Sequence, residues 1–441
     1  MRADGIDLRR VLRWLTYLCL GYLFVLPVGH NYVLIPVIGL LAVVSLVRVV
    51  LDRRWPPIQL LSILGLVLCI GLLGTVVGIG NAGLINGIAV WLLAPLVFFT
   101  FAFSGDETVV RGIIRTSAIA TVGMSIIMIV YSAGDAGYVP QFIPDGVADV
   151  LNARHDRDPV GNITIAFYGL STFVAATPMW LTAMFLPSHP LLPPRWLSIT
   201  TAGLAVIVML LAGRSALVLV VFVVPAIIWI LLQIVRGRQA RSIKNVILPI
   251  GAVAVAGATV GVLALSGNTL VLRTWDRIAG FLTGQSQTLD DRVRAEQIEE
   301  LLAAWSQSPI FGHGFGAVIE GYSRSDDRPW NFEMQYHLLL FQVGIVGLAL
   351  LLAAAGIAIR CFVQALRERR DLTPVLLFTA AAALAMTIAN GTNPYLQAPG
   401  HMWAIYLMLM VVSIALRPRE EVGFAVQVDR TVDFQSSAHT E

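Results

Sequence analysis

Charge is the scarcest property of this sequence. Of its 441 residues only 13% are Asp, Glu, Lys or Arg, where soluble globular domains carry about 25%. The mean hydropathy is +0.78, which excludes an ordinary soluble domain. Cysteine is scarce too. Cys19, Cys69 and Cys361 fall in or beside apolar runs, at spacings that fit neither a disulfide frame nor a metal site. Short segments of alternating polarity are missing, which excludes a closed β-barrel. No small-x-small cleavage site follows the first apolar run, from about Val11 to Val28, so a retained first helix is expected. An internal repeat is also missing, which weighs against a carrier built from two similar halves. The net charge of +3 says little by itself. No nucleic-acid partner is expected.

What is present is a succession of apolar runs of about 17–25 residues, each long enough to cross the hydrocarbon of a bilayer. The fold class expected is all-α: a polytopic integral membrane protein of about twelve transmembrane helices. The spans fall near 12–29, 33–50, 58–79, 86–103, 113–133, 162–187, 196–212, 216–235, 245–265, 338–360, 374–390 and 400–416. With the N-terminus in the cytoplasm, 21 of the 30 Lys and Arg lie in cytoplasmic segments, so both termini are expected there. The organisation follows: spans one to nine over 1–265, an outer loop over 266–336, spans ten to twelve over 337–416, and a polar tail over 417–441.

One arginine interrupts an apolar stretch. In "LLAGRSALVLV" Arg214 falls at the outer turn between spans seven and eight, where Gly213 and Ser215 suit a tight turn. The guanidinium then points into the headgroup layer or a wet cavity; an interfacial arginine that anchors the hairpin fits equally.

Four further stretches face the same side. "DDRVRAEQIEELLAAWSQSP" reads as a helix: Asp290 or Asp291 can cap it, and Ile298, Leu301, Leu302 and Trp305 recur at helical spacing. Arg292 and Arg294 stand at its start, where phosphate is attracted and guanidinium grips it bidentately; a solvated helix start is the plainer alternative. "PIFGHGFG" follows, a glycine turn that allows close approach to a ligand, with His313 a turn residue. "NFEMQYHLLLFQVGIVGL" opens span ten. On a helix Glu333 and His337 share a face, Tyr336 lies beside them, and Gly344 and Gly347 permit close helix packing. Carboxylate and imidazole there suit acid–base work, or merely cap the helix. In "NGTNPYLQAPGH", Asn393 and Tyr395 suit sugar hydroxyls and ring faces, or an ordinary Asn-Pro turn.

"AGRSALVL", "DDRVRAEQIEELLAAWSQSPIFGHGFG" and Glu333-Met334, nine residues, then Gly344-x-x-Gly347 resemble the O-antigen ligase and polymerase superfamily of bacterial inner-membrane enzymes. The likeness covers about residues 200–400. It implies a glycosyltransferase of GT-C type acting outside the cytoplasmic membrane on undecaprenyl diphosphate-linked glycan, with membrane lipids and a chain-length regulator as partners. By it Arg214 and Arg292 contact the diphosphate. The ligase histidine is replaced here by Glu333, with His337 one turn later; this and "TNPYL" look more like the polymerase branch. The expected reaction is an inverting transfer without cofactor or metal. Arg214, Arg292 and Arg294 offset the charge of the departing diphosphate, Glu333 is the base, His337 orients it or replaces it, and Tyr336, Asn393 and Tyr395 hold sugar. A ligase moving finished polymer to a lipid acceptor is the near rival, and an amphiphile transporter the distant one.

Overall fold

In a computed structural model of the chain, the described residues are 7–135, 137–157, 163–212, 215–237 and 289–418. Arg214 and the ninth expected span, 245–265, lie outside them. The elements in chain order are α1 (Leu8–Val25), α2 (Asn31–Leu51), α3 (Ile58–Val77), α4 (Leu84–Ser104), α5 (Glu107–Asp135), α6 (Asp145–Leu151), β1 (Arg154–Arg157), β2 (Ile163–Ala166), α7 (Phe173–Ala183), α8 (Arg195–Ala212), α9 (Ser215–Arg236), α10 (Leu289–Trp305), α11 (Gln335–Glu368), α12 (Thr373–Ala389) and α13 (Trp403–Leu416).

Six of the described helices are long and apolar enough to cross a membrane: Asn31–Leu51, Ile58–Val77, Leu84–Ser104, Glu107–Asp135, Gln335–Glu368 and Arg370–Ala389. Arg195–Met209, Val220–Arg236 and Trp403–Leu416 are shorter and apolar. The chain is thus a mostly helical, multi-pass membrane protein. The sixth expected span, 162–187, is corrected. Its first residues form β2, antiparallel to β1 with Arg154 opposite Ala166, followed by a 3₁₀ turn over Tyr168–Thr172. Length and hydropathy suit a helix there, but the β-branched Ile163, Thr164 and Ile165 favour the pleated hairpin.

At the centre, α12 packs against α7, α9 and α13. Its Phe378 meets Trp180 edge-on, ring centres 5.0 Å apart, and Trp403 of α13 meets Phe24 at 4.6 Å. One end of the bundle is tied by ion pairs: Arg9 to Asp52 at 3.1 Å, Arg54 to Asp52 at 3.2 Å, and Arg48 and Arg54 both to Asp106 at 3.0 Å. Arg417 donates to the carbonyls of Gly105 and Phe103, which end α4.

Burial pushes the Asp106 carboxyl up. The Val109 N–H and the Arg54 and Arg48 guanidiniums outweigh that and leave it below the usual carboxylate range. Asp106→Asn strands Arg48, whose side chain is only 4% exposed, at an expected cost of about 3 kcal/mol at neutral pH. Because the folded carboxyl is the stronger acid, this contribution is complete above about pH 5 and fades as pH falls through the folded value. Thermal unfolding in detergent should show a gap between parent and variant at pH 7 that narrows in acid.

At the other end α11 is broken. Gly344 has φ 62° and ψ −166°, so Gln335–Val343 and Ile345–Glu368 are separate helical pieces. The break frees backbone groups that lipid cannot satisfy. The glycine turn satisfies them. The N–H groups of His313 and Gly314 donate to the Phe341 and Gln342 carbonyls at 2.9 and 2.8 Å; those of Ile345 and Val346 donate to the Pro309 and Ile310 carbonyls at 3.0 and 3.1 Å. Phe315 N–H reaches the Gly74 carbonyl at 2.8 Å, and Gly83 N–H the Gly316 carbonyl at 3.1 Å. Asn81 donates to the carbonyls of His313 and Phe315. The close approach expected of these glycines is therefore to α3, α4 and α11. The packing role expected of Gly344 is corrected: its left-handed backbone breaks the helix. A Cβ at Gly347 would meet Val343 of the preceding turn at 2.2 Å.

Candidate functional site

The broken end of α11 carries the candidate site. On α10, Gln297 and Leu301 are wholly buried and Ile298 half-buried. This face packs on Phe332, Met334, Leu338 and Phe341, so α10 lies against the start of α11. Phe332 and Met334 are both buried, 1% and 9% exposed, and anchor the extended segment that holds Glu333 between them. Gln297 fixes that segment, its Oε1 accepting the Glu333 backbone N–H at 2.9 Å.

Arg294, one turn before Gln297 on α10, donates through Nε to Glu333 Oε2 at 3.0 Å. The same oxygen takes Arg324 Nη1 at 2.6 Å. Arg324 comes from the turn after Tyr322, whose ring stacks on Phe332 at 6.2 Å. Burial, then the Glu296 and Glu300 carboxylates, push the Tyr322 phenol up, so it stays neutral. One carboxylate thus receives two guanidiniums from separate segments, with side-chain exposures of 29% for Arg294, 38% for Arg324 and 18% for Glu333.

The expected helical pairing of Glu333 with His337 is corrected. Met334 caps α11, and Glu333 stands before the first turn. Capping by Asp290 or Asp291 is corrected too, since α10 begins at Leu289 and both lie within its first turn. Arg292 is exposed. Residues two apart on a helix do not face one another, so Arg292 and Arg294 leave α10 from different faces. His337 is half-buried, and its Nδ1 is a buried polar atom without a hydrogen-bond partner among the described residues. Tyr336 donates its hydroxyl to the Thr387 carbonyl at 2.6 Å and so pins α11 to α12.

The turn between α12 and α13 is closed. Asn390 Oδ1 accepts the Leu396 N–H at 3.0 Å, and Asn393 donates to the Thr392 hydroxyl at 3.2 Å. Tyr395 is 7% exposed with its ring edge-on to His401, which leaves little face for a sugar. His401 is buried, its Nδ1 2.9 Å from the Tyr395 carbonyl and its Nε2 2.6 Å from Ser171 Oγ. Since a carbonyl only accepts, Nδ1 carries the proton toward Tyr395, and burial pushes the imidazole pKa down to about 4, so the ring is a neutral pin between two 3₁₀ turns. His313 is held likewise, Nε2 at 2.8 Å from the Ala304 carbonyl and its ring stacked on Phe341.

Arg324 and Gln297 are the two members that sequence reasoning missed. Gln297 has a visible signal, a polar residue on the stripe that Ile298 and Leu301 define. Arg324 sits in the mixed-charge "SRSDDR" and has none. A cavity of about 340 Å³ lies elsewhere, lined by Pro187, Ser188, His189 and Arg195 between α7 and α8. Neither Glu333 nor any other carboxylate lines it, so its size does not make it the reactive centre. Among the described residues no group of His, Cys, Asp or Glu is placed to hold a metal ion. Compared with models of known protein families and with characterised proteins, the chain matches none.

Proposed function

We propose that the chain is a lipid diphosphate-dependent glycosyltransferase of the bacterial cytoplasmic membrane. It extends a polysaccharide from undecaprenyl diphosphate-linked repeat units on the outer face. The observation that carries this reading is the convergence of Arg294 and Arg324 on the Glu333 carboxylate, 3.0 and 2.6 Å away, at the membrane end of a broken helix. A carboxylate beside fixed guanidiniums is the pairing that glycosyl transfer from a diphosphate requires. An acceptor hydroxyl attacks the anomeric carbon and gives its proton to Glu333. The bond from that carbon to the diphosphate oxygen breaks, its electron pair leaves with the lipid diphosphate, and the configuration inverts. Arg294, with Arg214 and Arg292, offsets the charge that develops on the departing oxygen. His337 orients the carboxylate or serves as the base in its place.

The test is the glycan ladder of a strain that lacks this chain. Loss of a polymerase leaves single repeat units on the acceptor, loss of a ligase leaves none, and an unchanged ladder ends the reading. An amphiphile transporter is the second reading, favoured by the break at Gly344, since discontinuous helices mark many transporter sites. Solute flux through vesicles holding the chain, with no sugar acceptor present, would decide for it.

A further inference from the structure

We infer that Glu333 occupies the chain's own anion site in the resting state, and that Arg324 is a further diphosphate-binding arginine held there until substrate displaces the carboxylate. This rests on the reading above for the identity of the anion, a diphosphate. The site itself rests on contacts alone.

Two guanidiniums that meet on one carboxylate oxygen form a preassembled receptor for a second, more highly charged oxyanion. Arg294 lies on a helix and Arg324 on a turn, and both bond to the same oxygen, Glu333 Oε2. Both arginines are more exposed than the carboxylate between them, so an incoming anion meets the cations first. A singly charged carboxylate is a weaker partner for two guanidiniums than a phosphate with three acceptor oxygens.

A second observation also points to a missing acceptor. Gln297 is wholly buried, and its amide is oriented unambiguously because Oε1 must accept the Glu333 N–H. Its Nε2 is then a buried donor with no partner among the described residues. A buried donor left unpaired is costly, and a phosphate or sugar oxygen beside Glu333 would satisfy it. Asn331 Oδ1, two residues before Glu333, is likewise buried and unpaired, and a sugar hydroxyl would be its complement.

Exchange follows from these contacts. When the diphosphate takes Arg294 and Arg324, Glu333 loses both cationic partners together and becomes available to accept the proton of the attacking hydroxyl. The base is thereby exposed only when the leaving group is in place, which guards against loss of the glycan to water.

The experiment is binding of inorganic pyrophosphate to the purified full chain in detergent, by calorimetry at low salt. Glu333→Gln keeps the side-chain shape but removes the competing charge. It should tighten binding about tenfold, as expected for losing one internal charge-assisted contact. Glu333→Ala should do the same, which guards against an altered hydrogen bond in the Gln variant. Arg324→Ala should weaken binding about tenfold, and Arg324→Lys by less. Tighter binding by both Glu333 variants, with weaker binding when Arg324→Ala is added to Glu333→Gln, upholds the exchange, even if the parent binds too weakly to measure. Unchanged or weaker binding by the Glu333 variants overturns it, and so does absence of binding in every form. Neither result touches the ladder test, because a glycosyltransferase whose arginines Glu333 merely organises would still extend chains.

Discussion

Alanine at Gly314 is expected to leave almost no folded protein. Gly314 has φ 81°, and an added Cβ would stand 2.1 Å from the Gly78 nitrogen and 2.2 Å from its Cα. Those atoms belong to backbone at the end of α3 and cannot swing aside as a side chain could. The left-handed conformation alone costs an alanine about 1 kcal/mol. Forcing the turn off α3 would also break the Gly314 bond to the Gln342 carbonyl and reopen the break in α11, where each unmet backbone group costs several kcal/mol in lipid. The sum exceeds about 4 kcal/mol, a range reached only by a few kinds of substitution. Gly80 is the control. It also has positive φ, 96°, but no atom lies within 4 Å of its added Cβ, so Gly80→Ala should lose only the backbone term. Monodisperse yield and thermal unfolding in detergent compare the two. If Gly314→Ala behaves like Gly80→Ala, the turn does not plug the helix break as described.

Much of the architecture is legible in the apolar runs. Ten of the twelve expected spans coincide with described helices, because run length and hydropathy report membrane burial directly, and six described helices are long and apolar enough to cross a membrane. The ninth span lies outside the described residues. The sixth span shows the limit. Hydropathy does not distinguish a helix from an apolar hairpin, and Ile163–Ala166 took the pairing that its β-branched residues favour. The site was legible in part. Arg294 and Glu333 stand out as charges beside apolar runs, and the structure brings them together. Their partner Arg324 was hidden because its selection depends on a turn held by Tyr322 stacking on Phe332, a contact with no spacing signature. The helical pairing of Glu333 with His337 failed for a local reason. Gln297 captures the Glu333 N–H from another segment, and α11 begins only after Met334. Gly344 shows the same limit on a larger scale: a glycine in an apolar run reads as a packing position, and only the partners of its neighbours' backbone groups reveal a break.

Glu333→Gln should lower the rate of chain extension by about 10²–10⁴, the usual contribution of a positioned general base. It should do so while leaving the amount of inserted protein unchanged, because the amide oxygen can still accept from Arg294 and Arg324. Arg294→Ala should lower the rate by about 10²–10³, the scale for removing one preorganised donor from a developing oxyanion. Arg294→Lys should recover only part of this. Its ammonium supplies the charge but not the planar fork through which Nε reaches Glu333 at 3.0 Å. If base and cation act on one transition state, the double variant should be little slower than the slower single one, since residues that work as a unit do not add. Rates come from the growth of glycan ladders in membrane vesicles given lipid diphosphate-linked repeat units. A Glu333→Gln rate within about threefold of the parent would remove the carboxylate from proton transfer and leave it the structural task of holding two arginines together. His337, whose buried Nδ1 has no hydrogen-bond partner among the described residues, would then be the next residue to replace.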